Sequence, residues 1–310
     1  MSTVIQTLPV PRSSPLARAA DYAELIKLRV TSLVVMTAWC GYYLGALKAG
    51  SSPWSWNMVN TLLGVGLIAG GTAALNQVIE READALMRRT DRRPLPAGRM
   101  STTHAVAVGL LTAIGGASWL MLANNVLTGL LALLTAVAYL GAYTPLKKIS
   151  PVCTFVGAFP GAMPGVLGWT AARGALEWEA AALFAIVFLW QFPHFLSIAW
   201  LYREDYERAG IQMLPVVDIS GRATSIEIVV YSLLLVPVSL APTLLGMSGG
   251  IYLAGALLLS LAFLWTSVRL ATVKAAPAAA QSKPRARQLL QASVIYLPLL
   301  FALMMLNAAA

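Results

Sequence analysis

Apolar residues fill this chain in blocks of roughly twenty, separated by short polar stretches. They neither alternate, as a half-buried strand would, nor keep to one stripe of a helix. The blocks predict helices near 30–48, 57–79, 103–123, 126–144, 152–172, 180–201, 226–246, 250–270 and 289–307. Each is long enough to cross a hydrocarbon layer about 30 Å thick, which takes roughly 20 helical residues. Asn124-Asn125 and Met247-Ser248-Gly249 leave room only for tight hairpins. Pro160, Pro164, Pro193, Pro237, Pro242 and Pro298 fall inside spans and are expected to kink them, neighbouring helices repairing the lost hydrogen bonds. Residues 1–24 carry Pro9, Pro11, Pro15 and several serines without a cleavable-signal pattern, and predict a disordered arm. A flexible basic loop is expected over 272–286, and 25–310 reads as a single domain.

Charge sets the orientation. Lys and Arg in loops stay on the cytoplasmic side during insertion. All of them except Lys48 and Arg173 fall in the N-terminal arm or in the even-numbered loops. The N-terminus is therefore expected in the cytoplasm and the C-terminus outside, in an all-α polytopic protein of the plasma (bacterial inner) membrane. Composition agrees: 58% of residues are hydrophobic and 11% charged, against about 25% charged in soluble domains. Soluble, disordered and disulfide-stapled classes are excluded. Cys40 and Cys153 lack partners at metal spacing and read as packing residues. The excess of basic residues serves orientation and anionic lipid, and nucleic acid is not an expected partner.

Acids are the informative minority. All but Glu177 and Glu179 fall on the cytoplasmic side, where the insertion rule does nothing to attract them. Asn76, Glu80 and Asp84 are spaced i, i+4, i+8, so one helix presents an amide oxygen and two carboxylates on one face at the membrane boundary. Mg²⁺ takes hard oxygen ligands, commonly a few carboxylates together with substrate phosphates. Such a ladder suits a metal shared with a diphosphate; the plainer reading is a helix end whose acids pair with Arg81, Arg88 and Arg89. The loop that follows carries five arginines stiffened by Pro94, Pro96 and Gly98. Arg93 and Arg99 are its candidates for phosphate oxygens, while orientation and anionic lipid explain the same charges differently. Spans two and six are four places apart in order, so they run the same way and their cytoplasmic ends lie at one depth. Asp205, with Glu204 as the weaker partner, and Lys147 would complete a cage there.

These motifs together resemble the intramembrane aromatic prenyltransferases. The resemblance rests first on Asn76-xxx-Glu80-xxx-Asp84 followed by Arg92-Arg93-Pro94-Leu95-Pro96-Ala97-Gly98, and on Tyr143-Thr144-Pro145-Leu146-Lys147-Lys148. Trp190-Gln191-Phe192-Pro193-His194-Phe195 and the run from Asp205-Tyr206-Glu207-Arg208 to Pro215 are similar to the branch of protoheme IX farnesyltransferases, or heme O synthases. The resemblance implies nine helices around a central cavity open to lipid, with a Mg²⁺-diphosphate site at its cytoplasmic end. It implies metal ligation by Asn76, Glu80, Asp84 and Asp205, and diphosphate contacts from Lys147 and Arg93. Arg99, Tyr143, Lys148, His194, Glu204, Tyr206 and Arg208 are carried over as candidate substrate-binding residues. Heme B and farnesyl diphosphate are then the substrates, heme O and diphosphate the products, and a downstream heme A synthase a candidate partner. Two departures stand out: Glu80 occupies a position where Asp is commoner, and Leu201 stands where the quinone enzymes carry an earlier Asp.

His194, behind Pro193 in the sixth span, has three readings: an axial ligand to heme iron, a buried histidine bonded to a neighbouring helix, or a group positioning water or a proton. His104 reads as interfacial. Trp39, Trp54, Trp56, Trp169, Trp178 and Trp200 lie near span ends, where an aromatic belt is expected. A prenyltransferase acting on a quinone precursor such as 4-hydroxybenzoate is the nearer rival, which the Pro193-His194-Phe195 stretch and the Asp205–Pro215 run oppose. A secondary transporter is the rival of another class; in it, acids would sit at mid-membrane rather than at one face.

Overall fold

The computed structural model describes residues 14–273 and 275–309; most of the N-terminal arm lies outside that range. From Ser14 onward the arm is a helix, α1 (Pro15–Leu25), capped by the Ser14 hydroxyl on the Ala17 amide. Proline suits the first turn of a helix, where its missing N–H is not needed. There follow α2 (Leu28–Lys48), α3 (Trp56–Leu86), α4 (Thr102–Ala123) and α5 (Val126–Ala138). A π-turn at Tyr139–Tyr143 and a last turn, α6 (Thr144–Leu146), extend α5. The remaining helices are α7 (Cys153–Arg173), α8 (Trp178–Leu201), the short α9 (Arg203–Arg208) and α10 (Leu214–Val217), then α11 (Arg222–Leu244), α12 (Gly250–Ala271) and α13 (Lys283–Leu306). No strand occurs among the described residues.

Eight of these segments are long and apolar enough to cross a membrane, which makes the protein an integral membrane protein. The remaining long helix, α7, is of similar length but richer in glycine, alanine and proline, and is buried along most of its face. Its place in the fold explains its composition. The α2–α7 pair joins two groups of helices, α3 to α5 on one side and α8 with α11 to α13 on the other. The pair packs backbone to backbone, with Gly41 against the Gly165 carbonyl and Gly168 against the Ala38 carbonyl. Small residues at such crossings let helices approach closely in lipid. Replacing Gly168 with Ala should therefore cost at least the ~1–3 kcal/mol typical of overpacking, seen as a lower melting temperature in detergent; unchanged melting would refute this close contact.

Polar side chains stitch the ends. Asn124 in the α4–α5 hairpin donates to Asn57 Oδ1 at 2.8 Å and Thr61 Oγ1 at 2.9 Å, and Asn125 donates to the Thr170 carbonyl at 2.8 Å. At the same end Lys48 pairs with Glu179, and Glu177 bonds Arg173 and the Trp169 indole. Trp54, Trp56 and Trp178 are exposed as a belt requires. Trp169 and Trp200 are not: both are buried, each with its indole N–H bonded, to Glu177 and to Ser282 respectively. That second bond corrects the expectation for 272–286, because a 3-10 turn at Ala280–Ser282 docks this loop onto α8 before α13 begins. The helices continue through Pro160, Pro164, Pro193, Pro237, Pro242 and Pro298. Cys40 and Cys153 are buried free thiols.

Candidate active site

A cavity of about 480 Å³ is lined by parts of α2, α3, α5, α7, α8 and α13. Most of its wall is apolar, with Val34, Val65, Ile68 and Leu167 among the lining residues. The charges lie at one end: Lys27, Glu80, Asp84, Arg89, Arg93 and Lys147.

α3 outlasts the expected 57–79 by seven residues, reaching Leu86, and so carries the whole Asn76-Glu80-Asp84 face. Each rung has a cationic partner. The buried Asn76 accepts from Lys27 Nζ at 2.6 Å and donates to Thr144 Oγ1 at 3.1 Å. Glu80 accepts from Lys147 Nζ at 2.6 Å, and Asp84 from Arg93 at 2.7 Å. The helix-end pairing foreseen with Arg81, Arg88 and Arg89 is thus made by other cations, all of which line the cavity. Arg93 is aimed by the turn after α3, where Thr90 Oγ1 closes on the Asp84 carbonyl at 2.8 Å and Gly98 takes φ +70°.

Lys27 was legible only as an orientation charge. Gln77, inside the same motif, donates to the Glu24 and Leu25 carbonyls at 2.7 and 3.0 Å and ties the end of α1 to α3. The chain then turns through Lys27 at φ +49°, a left-handed conformation rare for non-glycine residues, and its ammonium reaches Asn76. Burial, with Arg93 next and Lys147 adding to it, brings Lys27 down to about 7 against the pull of Glu80 and Asp84. An anion arriving at this mouth would favour its charged form. Burial also disfavours charge on Lys147, but the oxygens of Tyr143 and Glu80 outweigh it and hold the ammonium well above its usual range.

The π-turn has a local cause. Pro145 has no amide to give, and Thr144 bonds the Tyr139 carbonyl through its hydroxyl at 2.8 Å and through its own N–H. The widened turn sets Tyr139 and Tyr143 5.1 Å apart, and Lys147 Nζ lies 4.5 Å from the Tyr143 ring. π-turns recur at functional sites.

The second acidic cluster is arranged differently from the reading above. α8 stops at Leu201, and Asp205 belongs to the separate α9. Its buried carboxylate accepts from Arg208 at 2.7 Å, and neither residue lines the cavity. Glu204 pairs with Lys283 at the surface. Arg99 is engaged with Asp21 in a small polar pocket beside His104, whose Nε2 meets Tyr22 OH at 2.6 Å. Lys148 is exposed. The run after Asp205 does reach the site: Gln212 donates its amide to the Lys147 carbonyl at 2.7 Å, and Ile211 and Met213 line the cavity. Tyr206 lines it too and carries Arg89, whose guanidinium lies 4.9 Å from its ring and 3.0 Å from its hydroxyl. His194 and Gln191 complete the wall, Gln191 donating to the Ala158 and Val187 carbonyls.

Among the described residues no three acidic, histidine or cysteine side chains converge on one point as a metal cage. The ladder offers two carboxylates and an amide oxygen, leaving further positions to water or to a phosphate-bearing substrate. That donor set fits Mg²⁺, which keeps several waters and binds through one or two carboxylates plus phosphate.

The UbiA prenyltransferase family matches residues 34–307 of this chain. A protoheme IX farnesyltransferase of Koribacter versatilis (strain Ellin345) is 59% identical over 307 residues, covering 99% of each chain. One from Solibacter usitatus (strain Ellin6076) is 50% identical, over 93% of this chain and 98% of the relative. Among solved structures, a digeranylgeranylglyceryl phosphate synthase superposes with a TM-score of 0.72 at 17% identity, covering 94% of this chain and 98% of that one. A UbiA homolog from Archaeoglobus fulgidus bound to GPP and Mg²⁺ gives 0.61 at 17% identity, covering 92% and 99%. At that identity the two structures speak for the fold alone.

Proposed function

The chain belongs to the UbiA prenyltransferase family, in its protoheme IX farnesyltransferase branch, and from that premise we propose that it farnesylates a vinyl group of heme B. The products are heme O and diphosphate. The observation that carries this reading is the cavity itself: an apolar chamber whose charges are confined to one end. That is the shape of a prenyl diphosphate, an oily chain with a multiply charged head.

Lys27, Arg89, Arg93 and Lys147 surround the head, more positive charge than Glu80 and Asp84 cancel. Breaking the allylic C–O bond sends its electron pair to the departing diphosphate. Cations fixed in advance where negative charge develops are commonly the largest contribution to such catalysis. Asn76, Glu80 and Asp84 would hold Mg²⁺, which when bound supplies further charge neutralisation of the leaving group; a homolog of the same fold is bound to GPP and Mg²⁺. Tyr139 and Tyr143 line the same cavity beside Lys147, and an aromatic ring there would favour a farnesyl cation. The terminal carbon of the vinyl group forms the new C–C bond, leaving a cation on the carbon beside the porphyrin. Water adds there and loses a proton. The dry wall keeps other water from the first cation.

The basic loops support an orientation with this end of the cavity toward the cytoplasm, and on this reading the protein resides in the bacterial inner membrane. Expression in a bacterial strain lacking heme O should yield a heme heavier than heme B by one farnesyl group and one hydroxyl, identified by mass. Unchanged heme B alongside a prenylated quinol ring would move the reading to the quinone enzymes. Cation-driven solute uptake without diphosphate release would move it to a transporter.

A further inference from the structure

The diphosphate chemistry leaves one buried arrangement without a task. His194 on α8 and Ser293 on α13 meet across the helix contact, Nδ1 lying 2.8 Å from the serine oxygen. The same hydroxyl lies 2.6 Å from the Leu290 carbonyl. A carbonyl only accepts, so the serine proton is committed to it. Nδ1 must then carry the imidazole hydrogen and donate it to Ser293. Nε2 is left with a lone pair; it takes no hydrogen bond among the described residues, and His194 is part of the cavity wall. Trp190, one turn earlier, lies parallel to the imidazole at 4.6 Å, with 18° between planes, and its own N–H donates to the Ser293 carbonyl at 2.9 Å. Plane and tautomer are thus both fixed.

A neutral imidazole with one nitrogen anchored and the other bare is how proteins offer histidine to a metal. His194 is packed among Trp190, Phe195 and Ser293. We infer that Nε2 of His194 is the axial ligand of the acceptor's porphyrin iron, held for that purpose by Ser293 and Trp190 as positioning residues. The inference rests on heme B being the acceptor. Ligation would hold the porphyrin against α8 in the same cavity as the charged end.

The chain has only two histidines, His104 and His194, which makes a labelling test direct. Full-length protein in detergent, loaded with ferric heme B, is grown with ¹⁵N-histidine and examined by pulsed electron paramagnetic resonance. Iron-bound nitrogen should change its hyperfine coupling with the label in the wild type and in His104→Gln, and that coupling should vanish in His194→Ala. Ser293→Ala should weaken heme binding by about 10–100-fold, the usual cost of losing a ligand's supporting hydrogen bond, while Ser293→Thr keeps it. Absence of labelled coupling in the wild type overturns the inference, and so does its persistence in His194→Ala. The wild-type and His104→Gln readings stand even if His194→Ala does not fold. Heme O formed without histidine coupling would sink this inference alone. Histidine-bound heme B that is never farnesylated would sink the proposed function and leave the ligation standing.

Discussion

Asp84→Asn should lower farnesyl transfer by about 10²–10³-fold, the range seen when one fixed electrostatic group is removed from a transition state. Asp84 is 1% exposed and accepts from Arg93 at 2.7 Å. Asparagine keeps the shape and one acceptor oxygen but removes the charge. Two things are lost together: a carboxylate for the metal, and the counter-charge that aims Arg93 into the mouth. Breaking a buried ion pair in a protein interior typically costs about 3–5 kcal/mol of stability. Here the penalty should be smaller, because the Arg93 side chain is 17% exposed and faces the cavity, where water can reach it. The protein should therefore still elute as a folded species in detergent. Diphosphate release and heme mass, measured in membranes, separate the outcomes. Activity within about threefold of wild type would show that Asp84 only braces a helix end.

Asp84 was visible in the sequence because an acid beside lipid is costly and must have a reason. The ladder was visible because helical periodicity alone places positions 76, 80 and 84 on one face, and the spans because unbroken apolar blocks have few other uses. What stayed hidden depends on how distant segments meet. Lys27 looks like any basic residue of a cytoplasmic arm until Gln77 fastens α1 to α3 and a left-handed turn points its ammonium at Asn76. Arg89 and Arg99 belong to one loop with one composition. Only the folded turn sends Arg89 to Tyr206 on the cavity wall and Arg99 outward to Asp21. Asp205 has the chemistry of a metal ligand, but α8 ends at Leu201 and the carboxylate, carried on α9, accepts from Arg208. Ser293 carries no signal at all, since a serine in an apolar span is commonplace until its partner across the helix contact is known.

The same geometry determines what happens at Lys147. Its ammonium lies 2.6 Å from Glu80 and 4.5 Å from the Tyr143 ring, with side-chain exposures of 15% and 13% for the ion pair. Lys147→Met keeps most of the length of the side chain and removes the charge. It should lower turnover by about 10²–10³-fold and also destabilise the protein, because Glu80 is left buried without its closest partner. Adding Glu80→Gln to Lys147→Met removes the stranded charge. If the pair existed only to close the cytoplasmic ends of the helices, the double variant would recover both folding and turnover. If both groups act on the diphosphate, melting temperature should return toward that of the wild type while turnover stays down. The double variant therefore separates stability, which recovers, from catalysis, which does not. Recovery of turnover along with stability would assign Lys147 a structural role and leave Lys27, Arg89 and Arg93 as the cationic side chains of the described cavity wall that act on the leaving group.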